Sequence, residues 1–190
     1  MKPKIVILAS GNGTNAENII KYFQATKTAE VVQVLSNKKD AKVLARAEAL
    51  NVPTRSFTKD QLNSKEILGR MLEEIKPDLI VLAGFLLKIP EYLVADYPDK
   101  IINIHPALLP DYGGKGMYGM HVHKAVVENK ESFSGITIHY VNEHYDEGGI
   151  IFQAKTRLDP SDSPEDVAAK IHKLEYEHFP KVLENLILAH

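Results

Sequence analysis

Over its first 105 residues the chain alternates short, wholly apolar runs with segments whose apolar residues recur every third or fourth position, and this alternation restricts the fold more than any other feature. Apolar runs of this kind fit strands covered on both faces, and the amphipathic segments between them fit helices that cross from one parallel strand to the next. Lys4 to Ala9, Val31 to Leu35, Leu79 to Leu82 and Ile101 to Ile104 supply four strands. Between the first two, Ala16, Ile19, Ile20 and Phe23 fall at i, i+3, i+4 and i+7, one face of a helix. Val43, Leu44, Ala47 and Leu50 form a second stripe, and a third helix is expected from Ser64 as N-cap through Ile67, Leu68, Met71, Leu72 and Ile75 to Pro77.

From Pro106 to Met120 the periodicity gives way to prolines and glycines, a loop long enough to suggest that it serves a site. A short helix over His121 to Asn129 follows, then strands over Gly135 to Val141 and Ile150 to Leu158. Ser163-Pro164-Glu165-Asp166 opens a last helix that Pro180 is expected to break or kink. The expected fold is one α/β domain over residues 1–190, a Rossmann-like, mostly parallel sheet with flanking helices and antiparallel strands in the C-terminal part. Net charge is −2, without the basic excess that a nucleic acid partner demands. The lack of cysteine removes disulfides, thiolate catalysis and cysteine-ligated zinc. The longest apolar stretch, Leu79 to Leu87, is nine residues, against roughly 20 for a membrane span. Met1-Lys2-Pro3-Lys4 does not open a signal peptide, so a cytoplasmic protein with no membrane partner is expected.

Two clusters carry chemistry. Gly11-Asn12-Gly13-Thr14-Asn15-Ala16 fits the relaxed G-x-G-x-x-G/A pattern between first strand and first helix, where close backbone N–H groups and a helix N-terminus make an anion cradle. No carboxylate ends the second strand, where Ser36-Asn37-Lys38-Lys39 stands, so a phosphate-bearing ligand fits better than a dinucleotide. Asn103 and His105 lie two apart at the C-terminal end of a buried strand, on one face and at the edge where α/β sheets bind ligands. Asn142 to Gly149 is dense in carboxylates, and an aspartate delivered from it is expected to raise the pKa of a facing histidine. His121-x-His123 diverges on a helix and is not expected to bind metal, and His139 reads as a structural polar group.

Asn103-Ile104-His105-Pro106-Ala107-Leu108-Leu109-Pro110 resembles the N-x-H-P-S-L-L-P signature of the folate-dependent formyltransferases, and Asp146-Glu147-Gly148-Gly149-Ile150-Ile151 resembles their D-x-G-x-I-I segment. Ser10 to Asn15, Ala83-Gly84-Phe85 and the chain length resemble the phosphoribosylglycinamide formyltransferase branch of that family. The resemblance implies transfer of a formyl group from 10-formyltetrahydrofolate, as co-substrate, to the amine of glycinamide ribonucleotide in purine synthesis. It assigns catalysis to Asn103, a cationic His105 and Asp146, and nucleotide binding to Gly13, Thr14, Asn15, His172 and Glu175. It assigns folate binding to Leu86, Leu87, Lys88 and Ile89, to Asn142, Glu143, His144 and Tyr145, and to Lys65 near the glutamate tail. Residues 1–105 then form a phosphate-binding half and 106–190 a catalytic and folate-binding half, in a monomer or homodimer. A nucleotide-binding regulatory module, a formyl-folate hydrolase and a transferase acting on another amine are the competing readings. Ala107 in place of the usual serine and Leu87 where an arginine is often found depart from the pattern.

Overall fold

A computed structural model describes residues 2–189; the two ends of the expected domain, 1 and 190, lie outside the described residues. Seven strands form one sheet in the order β3-β2-β1-β4-β5-β6-β7. β1 (Lys4–Leu8), β2 (Glu30–Ser36), β3 (Thr54–Ser56), β4 (Leu79–Leu82) and β5 (Ile101–His105) run parallel. β6 (Phe133–Tyr140) is antiparallel to β5, and β7 (Ile150–Arg157) to β6. The expected mixed sheet is therefore present.

Alternating side chains along the strands feed two separate cores. Ile5, Ile7, Val34, Ile102 and Ile104 face α1 (Thr14–Thr26), α2 (Lys42–Ala49), α6 (Met120–Glu128) and α7 (Pro164–Leu188). Val6, Leu8, Ile80, Leu82 and Ile101 face the other side, covered by α3 (Lys59–Leu62), a π-helical turn (Lys65–Gly69) running into α4 (Arg70–Ile75), and α5 (Glu91–Asp96). The stripe Ala16, Ile19, Ile20 and Phe23 is the buried face of α1, and each large side chain there contributes about 1.5–3 kcal/mol.

The third helix departs from expectation. Its Ser64 N-cap makes no side-chain bond, and its first turn is π-helical. β3, α3 and α5 were not expected; α3 is closed by Thr58 and Gln61 in a reciprocal capping box. Pro180 does not break α7, which continues to Leu188. A proline inside a helix leaves the carbonyl four residues earlier without its donor. Here that carbonyl, on Tyr176, accepts the Asn18 amide of α1 at 3.1 Å, and Pro180 itself is buried. Asn18→Ala is accordingly expected to cost about 1 kcal/mol, read as a lower denaturant midpoint at unchanged slope.

Candidate active site

The chain winds outward from β1 in two directions, to β2 and β3 on one side and to β4 and β5 on the other, so β1 and β4 meet at a switch point. A cleft of about 630 Å³ opens there, between the segment after β1 (Gly11 to Asn15) and the segment after β4 (Ala83 to Ile89). Its floor is the end of β5.

Asn103 and His105 project from β5 on the face of Ile101, and the antiparallel register sets His139 of β6 directly opposite Asn103. His139 Nδ1 lies 2.8 Å from the Tyr140 carbonyl, which only accepts, so the proton is on Nδ1. Its bare Nε2 then accepts from the Asn103 amide at 3.1 Å, which fixes which end of that amide is the donor. His105 is 3% exposed, and its Nε2–H donates to the Tyr112 carbonyl at 2.8 Å. That leaves Nδ1 as the titrating nitrogen, 3.5 Å from Asp146 Oδ2. Asp146, at φ 57° in the loop between β6 and β7, also stands 3.6 Å from His139 and accepts the Gly114 N–H at 3.0 Å.

The charge on His105 differs from expectation. Burial pushes its pKa below the usual 6.5, outweighing the upward pull of Asp146 and the Tyr112 carbonyl. The imidazole is therefore neutral at neutral pH rather than held cationic: it is nearly sealed from water, and its carboxylate partner is beyond hydrogen-bond range. Burial alone would raise Asp146, but a positive charge on His139 or His105 when either ring takes up a proton, together with the Gly114 N–H, favours the carboxylate and holds its pKa below the ordinary value.

At the other end of the cleft, Gly13 caps α1 with φ 77° and no side-chain bond to the helix. A Cβ there would meet Val43 at 2.4 Å, so only glycine fits, and the first-turn N–H groups are left for an anion. Asn15 donates to Glu175 at 3.0 Å, and His172 Nδ1 lies 2.9 Å from the same carboxylate oxygen. That hydrogen bond raises His172 above 6.5 against its desolvation. Asn15 Oδ1 is buried without a partner among the described residues.

The formyl transferase family profile matches residues 3–183. This chain belongs to the formyl transferase family. It is 38% identical over 197 residues to a chloroplastic phosphoribosylglycinamide formyltransferase of Arabidopsis thaliana, covering 98% of this chain and 67% of that one. The Haemophilus influenzae phosphoribosylglycinamide formyltransferase is 36% identical over 186 residues, 95% of this chain and 85% of that one. The solved structure of the Coxiella burnetii phosphoribosylglycinamide formyltransferase superposes with a TM-score of 0.90 at 35% identity, covering 100% of this chain and 89% of that chain.

In this formyl transferase the cleft gathers Asn103, His105, Asp146, Gly13, Thr14, Asn15, His172, Glu175, Leu86, Leu87, Lys88, Ile89 and Tyr145. It does not gather Lys65, whose ammonium pairs with Asp96 at 2.7 Å on the outer surface. Nor do Asn142, Glu143 and His144 line it: His144 N–H closes a turn on Asn142 Oδ1 at 2.9 Å, and the wall passes from Val141 to Tyr145. Gly13 to Asn15 stand at the start of α1 and His172 and Glu175 on α7, whereas Ile89, with Leu87 and Val141 packed beside it, belongs to the α5 core. The two ends of the cleft thus belong to two faces of the sheet, each built from both halves of the chain.

Sequence reasoning missed His139, His123 and the Tyr112 carbonyl. His139 shares with Asn103 a contact that only the β5–β6 register reveals. His123 is buried at the cleft with Nδ1 unpartnered among the described residues, whereas His121 is exposed beside Tyr118, so the pair does diverge around α6. Among the described residues no three His, Cys, Asp or Glu side chains are grouped to hold a metal.

Proposed function

We propose that this formyl transferase moves the formyl group of 10-formyltetrahydrofolate to the amine of glycinamide ribonucleotide, giving formylglycinamide ribonucleotide and tetrahydrofolate in purine synthesis in the cytoplasm. One observation carries the reading: a half-buried cluster of Asn103 and Asp146 around the buried His105 stands between an anion cradle at Gly13 and an apolar wall at Leu86 to Ile89. The nucleotide phosphate takes the α1 N-terminus, with Glu175 and Asn15 Oδ1 accepting from ribose hydroxyls. The flat folate ring takes the α5 side, against Leu86 to Ile89 and Tyr145. The formyl carbon then lies where the two faces meet.

The amine is its own nucleophile, so no serine or cysteine is needed. As it attacks the formyl carbon, the carbonyl oxygen becomes an oxyanion, and the Asn103 amide hydrogen not committed to His139 donates to it. The attacking nitrogen loses a proton to His105 Nδ1, the nitrogen left free by Tyr112, and Asp146 stabilises the imidazolium so formed. The same proton passes to the folate nitrogen as the carbon–nitrogen bond to the donor breaks.

Tetrahydrofolate release on mixing protein, formyl donor and glycinamide ribonucleotide is the expected result. Formate formed without any amine would establish a hydrolase, and binding without turnover would sink the reading. Glu175→Ala should raise the nucleotide KM about 10- to 100-fold, the scale of a hydrogen bond to a charged group, while the folate KM stays within twofold.

A further inference from the structure

α2 grips the glycine loop after β1 from outside the cleft. The Val43 N–H donates to the Gly11 carbonyl at 3.1 Å. Three residues on, and so on the same face of the helix, Arg46 Nε donates to the Asn12 carbonyl at 2.9 Å, and Arg46 Nη2 to Asn12 Oδ1 at 3.2 Å. Arg46 Nη1 pairs with Glu17 in the first turn of α1, and Lys21 takes that carboxylate's other oxygen at 2.5 Å. Every guanidinium nitrogen is thus engaged, and the side chain ties α2, α1 and the loop together.

In a planar trans peptide the carbonyl and the N–H point in opposite directions, and the Gly11–Asn12 and Asn12–Gly13 peptides are both trans. With their carbonyls drawn back to α2, the Asn12 and Gly13 N–H groups point away from it, and neither has a backbone partner among the described residues. Gly11, Asn12 and Gly13 line the cleft, so these two N–H groups extend the row offered by the first turn of α1. We propose that Arg46 is a positioning residue for the acceptor's phosphate: it fixes the Asn12–Gly13 peptide so that its N–H faces the anion, and acts only through Asn12. The inference rests on a phosphate-bearing acceptor using this cradle. Without Arg46 that peptide loses its tie, and Gly13, with no side chain to restrict it, can rotate the N–H out of the row. The charge of Arg46 is balanced by Glu17, so its contribution is geometric: a rigid fork holds a carbonyl, an amide oxygen and a carboxylate at once.

Calorimetric titration with ribose 5-phosphate, a phosphate monoester on the acceptor's sugar, reads the cradle without the reaction. Arg46→Met is expected to weaken that binding, and to raise the acceptor KM, about 5- to 30-fold, the scale of a hydrogen bond to a charged group. The donor KM and kcat stay within twofold, since neither the folate side nor His105 is touched. Arg46→Lys keeps a charge beside Glu17 but has no fork to hold Asn12 twice, so it should recover less than half of the loss on a logarithmic scale. It also decides the matter if Arg46→Met does not fold. Full recovery in Arg46→Lys would make the effect one of charge, unchanged ribose 5-phosphate affinity in folded Arg46→Met would show that the loop holds itself, and an equal rise in donor KM would mean a general loosening of the fold; each overturns the inference alone. A parent enzyme that does not bind ribose 5-phosphate overturns the phosphate placement in the proposed function with it.

Discussion

His105→Ala lowers kcat by about 100- to 10,000-fold with both substrates saturating, the range of a lost general acid–base group. At about 1.4 kcal/mol per tenfold, that is about 3–5 kcal/mol of transition-state stabilisation. The ring is nearly sealed from water, so little solvent can enter to take over its proton transfer. The pH profile separates this role from a structural one. A base must be neutral to act, and burial sets the His105 pKa below 6.5, so the rate should climb with pH through a point under 6.5 and be flat at neutral pH. Asp146→Asn removes the carboxylate that pulls this pKa upward, so the acid limb should move to still lower pH while the plateau falls. A rate limb above 6.5 in the parent enzyme would contradict the neutral imidazole, and near-normal kcat in His105→Ala would remove His105 from the chemistry.

Asn103→Ala lowers kcat by about 100- to 1,000-fold with either KM little changed, because the bond it removes is made to an oxygen that is charged only in the transition state. The effect should exceed that of an ordinary amide, since the Asn103 side chain does not rotate freely. His139 holds one of its hydrogens at 3.1 Å and is itself fixed by the Tyr140 carbonyl, so the other hydrogen is aimed before substrate arrives. Steady-state kinetics with both substrates varied decides it: a fall seen only in KM would make Asn103 a binding residue.

The parts of the fold legible in the sequence were those where burial alone sets the pattern. KIVIL and LIVL could be read because both faces of β1 and β4 are covered, and α1 because its stripe repeats at the helical period. β3, with its three residues at the sheet edge, carries too short a pattern to read. The Thr58–Gln61 capping pair opens a helix of only four residues, too short to show a helical period. Pro180 misled because its rescue comes from Asn18, 162 residues away and invisible to any local rule. In the site, Asn103 and His105 announced themselves by spacing along one strand. His139 did not, since its role depends on how β6 pairs with β5, and the charge on His105 did not, since it depends on how deeply the ring is buried. The resemblance in position at Lys65 says nothing of its ion-pair partner, Asp96, which lies 31 residues further along the chain.

The tautomer of His105 is dictated by a main-chain oxygen, that of Tyr112, at a residue with φ 56°. Mutation at position 112 can alter the phenol, which donates to Glu131 on the outside, without erasing the atom that decides where the imidazole keeps its hydrogen. Evolutionary drift in the side chains of this loop is thereby uncoupled from the proton inventory of the catalytic ring, and only a change in the path of the backbone can reset it.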